Sequence, residues 1–238
     1  MKYTYSDLLA MFGIGGAHPG GLALTRAILS ELPLNQDTYF LEVGCGTGQT
    51  TAYIMSNHPC KLFAVDNHPL MISKAKKRLQ FGHEKVELLE ASAEQLPFKD
   101  QMFHYVLSES VTVFTNIKES VNEYFRILKN NGELILIEMT LNQPLDQDEA
   151  KELIQFYKLN QLNTEADWID LLKEAGFKDV VAHTIVLEEL HREDQDFTEF
   201  DMSENIDHQL FHILDTHEKL TLQYSNKLGF RVFICKKQ

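Results

Sequence analysis

Short apolar runs alternate with amphipathic stretches along most of this chain. The runs of strand type are 38–43, 61–66, 85–90, 102–108, 132–140, 179–187 and 229–236. Segments with apolar positions at helical spacing lie between and around them, at 4–12, 20–31, 47–57, 68–80, 116–129, 146–161, 164–176 and 204–226. Strands separated by helices pair in parallel through right-handed crossovers. The pattern therefore predicts an α/β fold, a seven-stranded sheet with helices on both faces. Asn130-Asn131-Gly132 predicts one helix stop, and Gly176 before Phe177 predicts another.

Residues 1–238 read as a single domain, and two parts exceed the alternation. Residues 1–30 form a helical lead-in broken at GIGGAHPGG, expected to fold as a lid. Residues 188–228 form an insertion between strands six and seven, acidic at first (EELHREDQDFTEFD) and then helical. Its position predicts a helical cap over the carboxyl edge of the sheet, where open α/β sheets bind ligands.

The composition narrows the partners. The 238 residues are 44% hydrophobic and 24% charged, as in an ordinary globular protein. The formal net charge is −13. Phosphate backbones are bound through lysine and arginine, so a nucleic-acid substrate is disfavoured. The basic run Lys74 to Arg78 is expected to be the solvated face of a helix. No apolar run is long enough to span a bilayer, and the N-terminus does not read as a signal peptide. The cysteines, Cys45, Cys60 and Cys235, form no C-x-x-C pair, which points to a reducing cytoplasm and to no zinc knuckle or disulfide framework. His208, His212 and Asp215 share a helix face, but the apolar stripe of Ile206, Leu210, Ile213, His217 and Leu220 turns that face to water. No metal site is expected.

The densest chemistry is YFLEVGCGTGQT, residues 39–50. A strand ends at Glu42 and the chain turns through Gly44, Gly46 and Gly48. Glycine there reaches positive φ and lets a ligand lie against bare backbone, while the following helix points free N–H groups at it. The dinucleotide pattern G-x-G-x-x-G would need glycine where Gln49 stands, which argues against an NAD(P)-dependent oxidoreductase. A second strand ends at Asp66, about 20 residues on, where Rossmann-like folds hold ribose hydroxyls. Asp66 also suits the N-cap of the next helix. No G-x-x-x-x-G-K-[ST] loop occurs, so an NTPase is not supported.

E-x-G-x-G-x-G from Glu42, with VDNHPLMISKAKKRL, ASAEQLPFKDQMFHYVLSESVTVF and FRILKNNGELILIEMT, resembles the class I S-adenosylmethionine (SAM) dependent methyltransferases. The resemblance runs from Tyr39 to Phe177 and is nearest to the ubiquinone/menaquinone-biosynthesis (methyltransferase type 11) group. It implies a last strand inserted antiparallel beside the fifth, and SAM as cofactor, leaving S-adenosylhomocysteine. It implies that Glu42 lies near the methionine amino group, with the glycine loop under methionine and ribose. Asn67, His68 and Met71 become candidates for the adenine wall. Ser92 and Ala93 stand at the family's D-A pair, with Ser92 in place of the acid, and His104 replaces Asp in the F-D pair. Ser108 falls near the expected sulfonium. The end of strand four carries neither the N-P-P-Y or D-P-P-Y run expected of glutamine- or adenine-amino methyltransferases nor the Pro-Cys nucleophile of cytosine C5 chemistry.

The expected activity is methyl transfer to a small-molecule acceptor. Action on protein or RNA, and non-catalytic SAM binding, are the alternatives. Where the acceptor must lose a proton, a base contributes 10²- to 10⁴-fold. His18, in the glycine-rich break, and Glu109, after Ser108, are the candidates. Tyr3 and Tyr5 are candidates for an aromatic lid, and Cys45 for a small loop filler.

Overall fold

The computed structural model describes residues 2–190 and 199–238. Its main sheet has seven strands: β2 (Tyr39–Val43), β3 (Lys61–Asp66), β4 (Val86–Glu90), β5 (Phe103–Glu109), β6 (Leu128–Leu141), β7 (Asp179–His183) and β9 (Leu228–Lys236). Their order is β4-β3-β2-β5-β6-β9-β7, with β9 antiparallel to both neighbours and the other pairings parallel. The last strand thus slots beside the fifth, as the resemblance implied. Two further strands, β1 (Ile14–Gly15) and β8 (Glu199–Phe200), pair antiparallel outside this sheet.

The helices are α1 (Tyr5–Phe12), α2 (Gly21–Ser30), α3 (Gln49–Asn57), α4 (Pro69–Arg78), α5 (Ile117–Ile127), α6 (Gln147–Tyr157), α7 (Glu165–Glu174) and α8 (His208–Gln223). The period-2 alternation of the strands sorts their residues onto two faces. Leu41, Val106, Leu134 and Leu136 pack with Tyr124, Ile127, Trp168 and Leu172 of α5 and α7. Phe40, Leu107, Ile135 and Ile137 pack with Leu24, Leu29 and Ile54 of α2 and α3. Both faces are covered, so the central strands read as continuous apolar runs. Trp168 is fully buried and donates its indole N–H to the Met139 carbonyl at 3.0 Å. Trp168→Ala would cost roughly 3–5 kcal/mol.

Several sequence expectations move. The helix after the glycine loop starts at Gln49 rather than residue 47, because Gly48 is its N-cap at φ +78°. α5 ends at Ile127 with an extended Leu128 as its C-cap, so Asn130-Asn131-Gly132 does not stop it; these residues lie inside β6, where Asn131 holds a left-handed φ of +62°. The strand expected over 179–187 ends at His183. Residues 191–198 of the expected insertion lie outside the described residues. The basic run on α4 is not a plain solvated face. Lys76 and Lys77 are exposed, whereas Lys74 is 8% exposed and reaches the backbone carbonyl of Asp201. Arg78 is half-buried, its Nε donating to the Thr47 carbonyl at 2.8 Å.

A third core joins the chain ends. Leu8 and Phe12 of α1 pack with Leu153 and Phe156 of α6 and with Leu210, Ile213, Leu220 and Tyr224. Thr4 and Asp7 form a capping box that starts α1, and Gly13 ends it in the left-handed conformation at φ +62°. His208, His212 and Asp215 are exposed. Among the described residues no helix is long and apolar enough to cross a membrane.

Candidate active site

The cavity at the carboxyl edge of the sheet is about 430 Å³. The glycine loop forms one wall. Gly44 and Cys45 donate their N–H groups to the Val65 carbonyl at 2.7 and 2.9 Å, which carries β2–β3 pairing past the strand end. Gly44 sits at φ +75°, and a Cβ there would collide with the Val111 side chain. Gly46, at φ +54°, is different: a Cβ would meet nothing within 4 Å. Its bare backbone lines the cavity, the open face a ligand needs.

Asp66 pins this loop. Its Oδ2 accepts from the Gly46 N–H and its Oδ1 from the His68 N–H, both at 2.8 Å. Burial pushes its carboxyl above the usual range, and the two N–H groups oppose that rise. A carboxylate oxygen carries two lone pairs, so each still has one for a vicinal diol. Asp66 is not the cap of α4. His68 is, its Nδ1 accepting from the Leu70 N–H at 3.2 Å.

Strand parity places the acids. Glu42 and Glu109 share the α2/α3 face with Phe40 and Leu107. Glu42 is 3% exposed and accepts from Thr51 Oγ1 at 2.5 Å. Burial, and next the nearby Glu109, hold its carboxyl well above the ordinary value. Glu109 accepts from Thr25 Oγ1 at 2.6 Å and Thr50 Oγ1 at 2.9 Å, and His18 Nε2 stands 3.6 Å from its Oε1. The two candidate bases, distant in sequence, are thus neighbours. The other His18 nitrogen, Nδ1, lies 3.3 Å from the Pro19 carbonyl.

Glu42, Gly44, Gly46, Asp66 and Asn67 line the cavity, as do His68, Met71, Ala93, His18 and Glu109. Gly48, Ser92 and Ser108 are not among its lining residues. Gly48 packs against Ala75, and Ser92 accepts from the Glu94 N–H in a local turn. Ser108 lies on the opposite face of β5 from Glu109, fully buried against Thr112 Oγ1 at 3.2 Å. Tyr5 is packed on Phe114, Tyr157 and His217, while its neighbours Thr4, Ser6 and Asp7 reach the cavity. Burial raises the Cys45 thiol well above its normal pKa, which removes it as a nucleophile. His104 lies at the far end of β5, where its Nδ1 accepts from the Tyr39 N–H at 2.8 Å.

Three contributors were not foreseen. Thr25 and Thr50 orient Glu109. Glu138, fully buried, accepts from the N–H groups of Val111, Thr112 and Val113 and so fixes the segment after β5 that lines the cavity. Burial lifts its carboxyl to about 7 against those bonds. One acid inside LILIEMT was the available signal.

The site fits SAM on its own geometry. Gly46 leaves an open backbone face and Asp66 keeps lone pairs free. Fold and site together define a class I SAM-dependent methyltransferase. The family model described as "Methyltransferase domain" matches residues 41–136. The "Uncharacterized methyltransferase YodH" of Bacillus subtilis is 38% identical over 233 residues, covering 98% of this chain and 99% of that one. The chain belongs to this methyltransferase family. The demethylmenaquinone methyltransferase of Chlorobaculum tepidum is 27% identical over 136 residues, 57% of this chain and 54% of that one. Among solved structures, phosphoethanolamine N-methyltransferase 2 of Haemonchus contortus with bound SAM superposes with a TM-score of 0.79. At 20% identity it shares the fold, over 100% of this chain and 58% of that one.

Proposed function

We propose that this SAM-dependent methyltransferase acts on a small molecule taken into the cavity beside the glycine loop. The observation that carries the reading is the buried pair of Glu109 and His18, with side chains 7% and 4% exposed, lining the same cavity as Gly46 and Asp66. A cavity of about 430 Å³ and a net charge of −13 both suit a small acceptor better than a nucleic acid.

SAM supplies a methyl group on a sulfonium for in-line displacement. The chain's contribution is to hold and orient. Asp66 receives the ribose hydroxyls, and the glycine loop underlies the methionine half. Glu42 faces the amino group, and Asn67, His68, Met71 and Ala93 border adenine. Near-attack positioning of this sort supplies about 7–11 kcal/mol. Glu109 and His18 hold or accept the acceptor's proton. The 1–30 segment and α8, joined through their common core, close the cavity as lid and cap.

A screen of small metabolites with methyl-labelled SAM tests the reading. Label should pass to a metabolite with the native protein and fail to pass with Asp66→Ala. Transfer only to added protein or RNA would overturn it. SAM binding without transfer to anything would support a binding protein instead.

A further inference from the structure

The charges around the cavity are one-sided. Four carboxylates line it, those of Asp7, Glu42, Asp66 and Glu109, and no lysine or arginine does among the described residues. Each has hydrogen-bond partners. Asp7 accepts from the Thr4 N–H and Oγ1 at 2.7 Å, with His68 Nε2 at 3.5 Å. Asp66 holds the two backbone N–H groups of the loop. Glu42 takes the Thr51 hydroxyl deep in the sheet.

Glu109, like Glu42, is hydrogen-bonded by uncharged threonine hydroxyls, those of Thr25 and Thr50, and His18 Nε2 stands 3.6 Å from its Oε1. A buried carboxylate is costly unless a cation meets it. Thr47, in the same lining, adds a second pointer: its hydroxyl is buried with no hydrogen-bond partner among the described residues, so it has lone pairs for an N–H donor.

We propose that the acceptor is an amine that enters as its ammonium form, anchored on Glu109, and that it carries no phosphate or carboxylate near the nitrogen. The proposal rests on the methyl-transfer reading of this cavity. An anionic acceptor would meet Glu109 with no lysine or arginine in the lining, among the described residues, to offset it. A cation completes the Glu109 cluster instead. Before transfer the ammonium gives one proton to Glu109, 3.6 Å from His18. The nitrogen lone pair then forms the C–N bond as the C–S bond of SAM breaks, and the electron pair of that bond stays on sulfur.

The test uses the full chain saturated with S-adenosylhomocysteine. Thermal shift and calorimetry are run with matched small ions: ethylammonium and trimethylammonium against acetate and methyl phosphate. The cations should raise the melting midpoint and the anions should not. Glu109→Gln, which keeps the size and one oxygen acceptor, should lose the cation shift and keep the S-adenosylhomocysteine shift. Glu109→Asp should recover part of the cation shift, which separates charge from folding. Labelled SAM should then methylate ethanolamine in preference to phosphoethanolamine. Anions binding as well as cations, a cation shift untouched in Glu109→Gln, or no cation shift at all would each overturn the proposal. Absence of the S-adenosylhomocysteine shift itself would instead sink the cofactor reading.

Discussion

The two walls of the cavity are built in opposite ways. The glycine-loop wall is local. Residues 39–66 form strand, turn, helix and strand in one stretch, and the contacts that fix it, from Gly44, Cys45 and Gly46 to Val65 and Asp66, span about one βαβ unit. The opposite wall, from residues 4–18, is held in place by distant pieces. Residues 13–15 pair with 199–201, and α1 packs on α6 and α8. Surface charges hold the strap down: Arg78 to Glu199 at 2.5 Å and Lys77 to Asp201 at 3.6 Å. Arg78 also bonds the Thr47 carbonyl of the glycine loop, so one side chain joins the strap to the first wall. The first wall is held by backbone contacts close in sequence, and the second by strand pairing, an apolar core and partly exposed ion pairs between distant segments, so substitutions should separate them.

The largest effect is expected at Gly44. Alanine there must take φ +75° and intrude on Val111, which displaces the loop. A displacement of about 1 Å at a site can cost on the order of 100-fold in rate, and SAM affinity read by calorimetry should fall as well. Gly13→Ala, whose Cβ would strike the Asp201 carbonyl, should loosen the lid while far-ultraviolet circular dichroism and cofactor binding change much less. Equal losses in both variants would end the distinction.

Asp66→Asn comes next. It removes the charge while leaving the shape, so bonds worth roughly 1.5–3 kcal/mol to a charged acceptor weaken. SAM affinity should fall by about tenfold or more, with the thermal midpoint falling too because the loop N–H groups lose their anchor.

A third effect is in pH. The Glu138 carboxyl titrates at about 7 in the folded chain, above its value in the unfolded chain. Between those two values the folded state holds a proton that the unfolded state has lost. Stability should therefore fall as pH rises from about 4.5 to 7 and level off beyond. Glu42, also shifted upward, acts in the same direction. Glu138→Gln should flatten part of this slope in denaturant titrations at several pH values, and an unchanged slope would exclude Glu138 as its source.

The smallest effect concerns the strap. Arg78→Ala and Glu199→Ala should each cost about 1 kcal/mol or less, because the pair is partly exposed. Their coupling in a double-mutant cycle should shrink in high salt. A coupling that persists in high salt would mean the strap is held by something other than charge.

Much of the first wall was legible in advance. Glu42, the glycines and Asp66 were readable because a strand–turn–helix cradle is written in consecutive residues. The same cause limits the reading at Gly48 and Ser108, since a one-residue step in a strand or helix start reverses what a side chain faces. Ser108 points to α5 while Glu109 points to α2 and α3. Glu138 escaped because its partners, Val111 to Val113, lie on another strand's exit loop.

By itself the sequence determined the alternation of strands and helices, the seven-stranded sheet and the glycine loop. Periodicity, turn residues and caps act between near neighbours, so they are present in the chain before it folds. Only the tertiary structure decided that His18 meets Glu109, that Lys74 is buried under residue 201, and that residues 13–15 pair with 199–201. Those contacts join segments tens to nearly two hundred residues apart, and they arise from burying the amphipathic faces of α1 and α8 together rather than from any local preference.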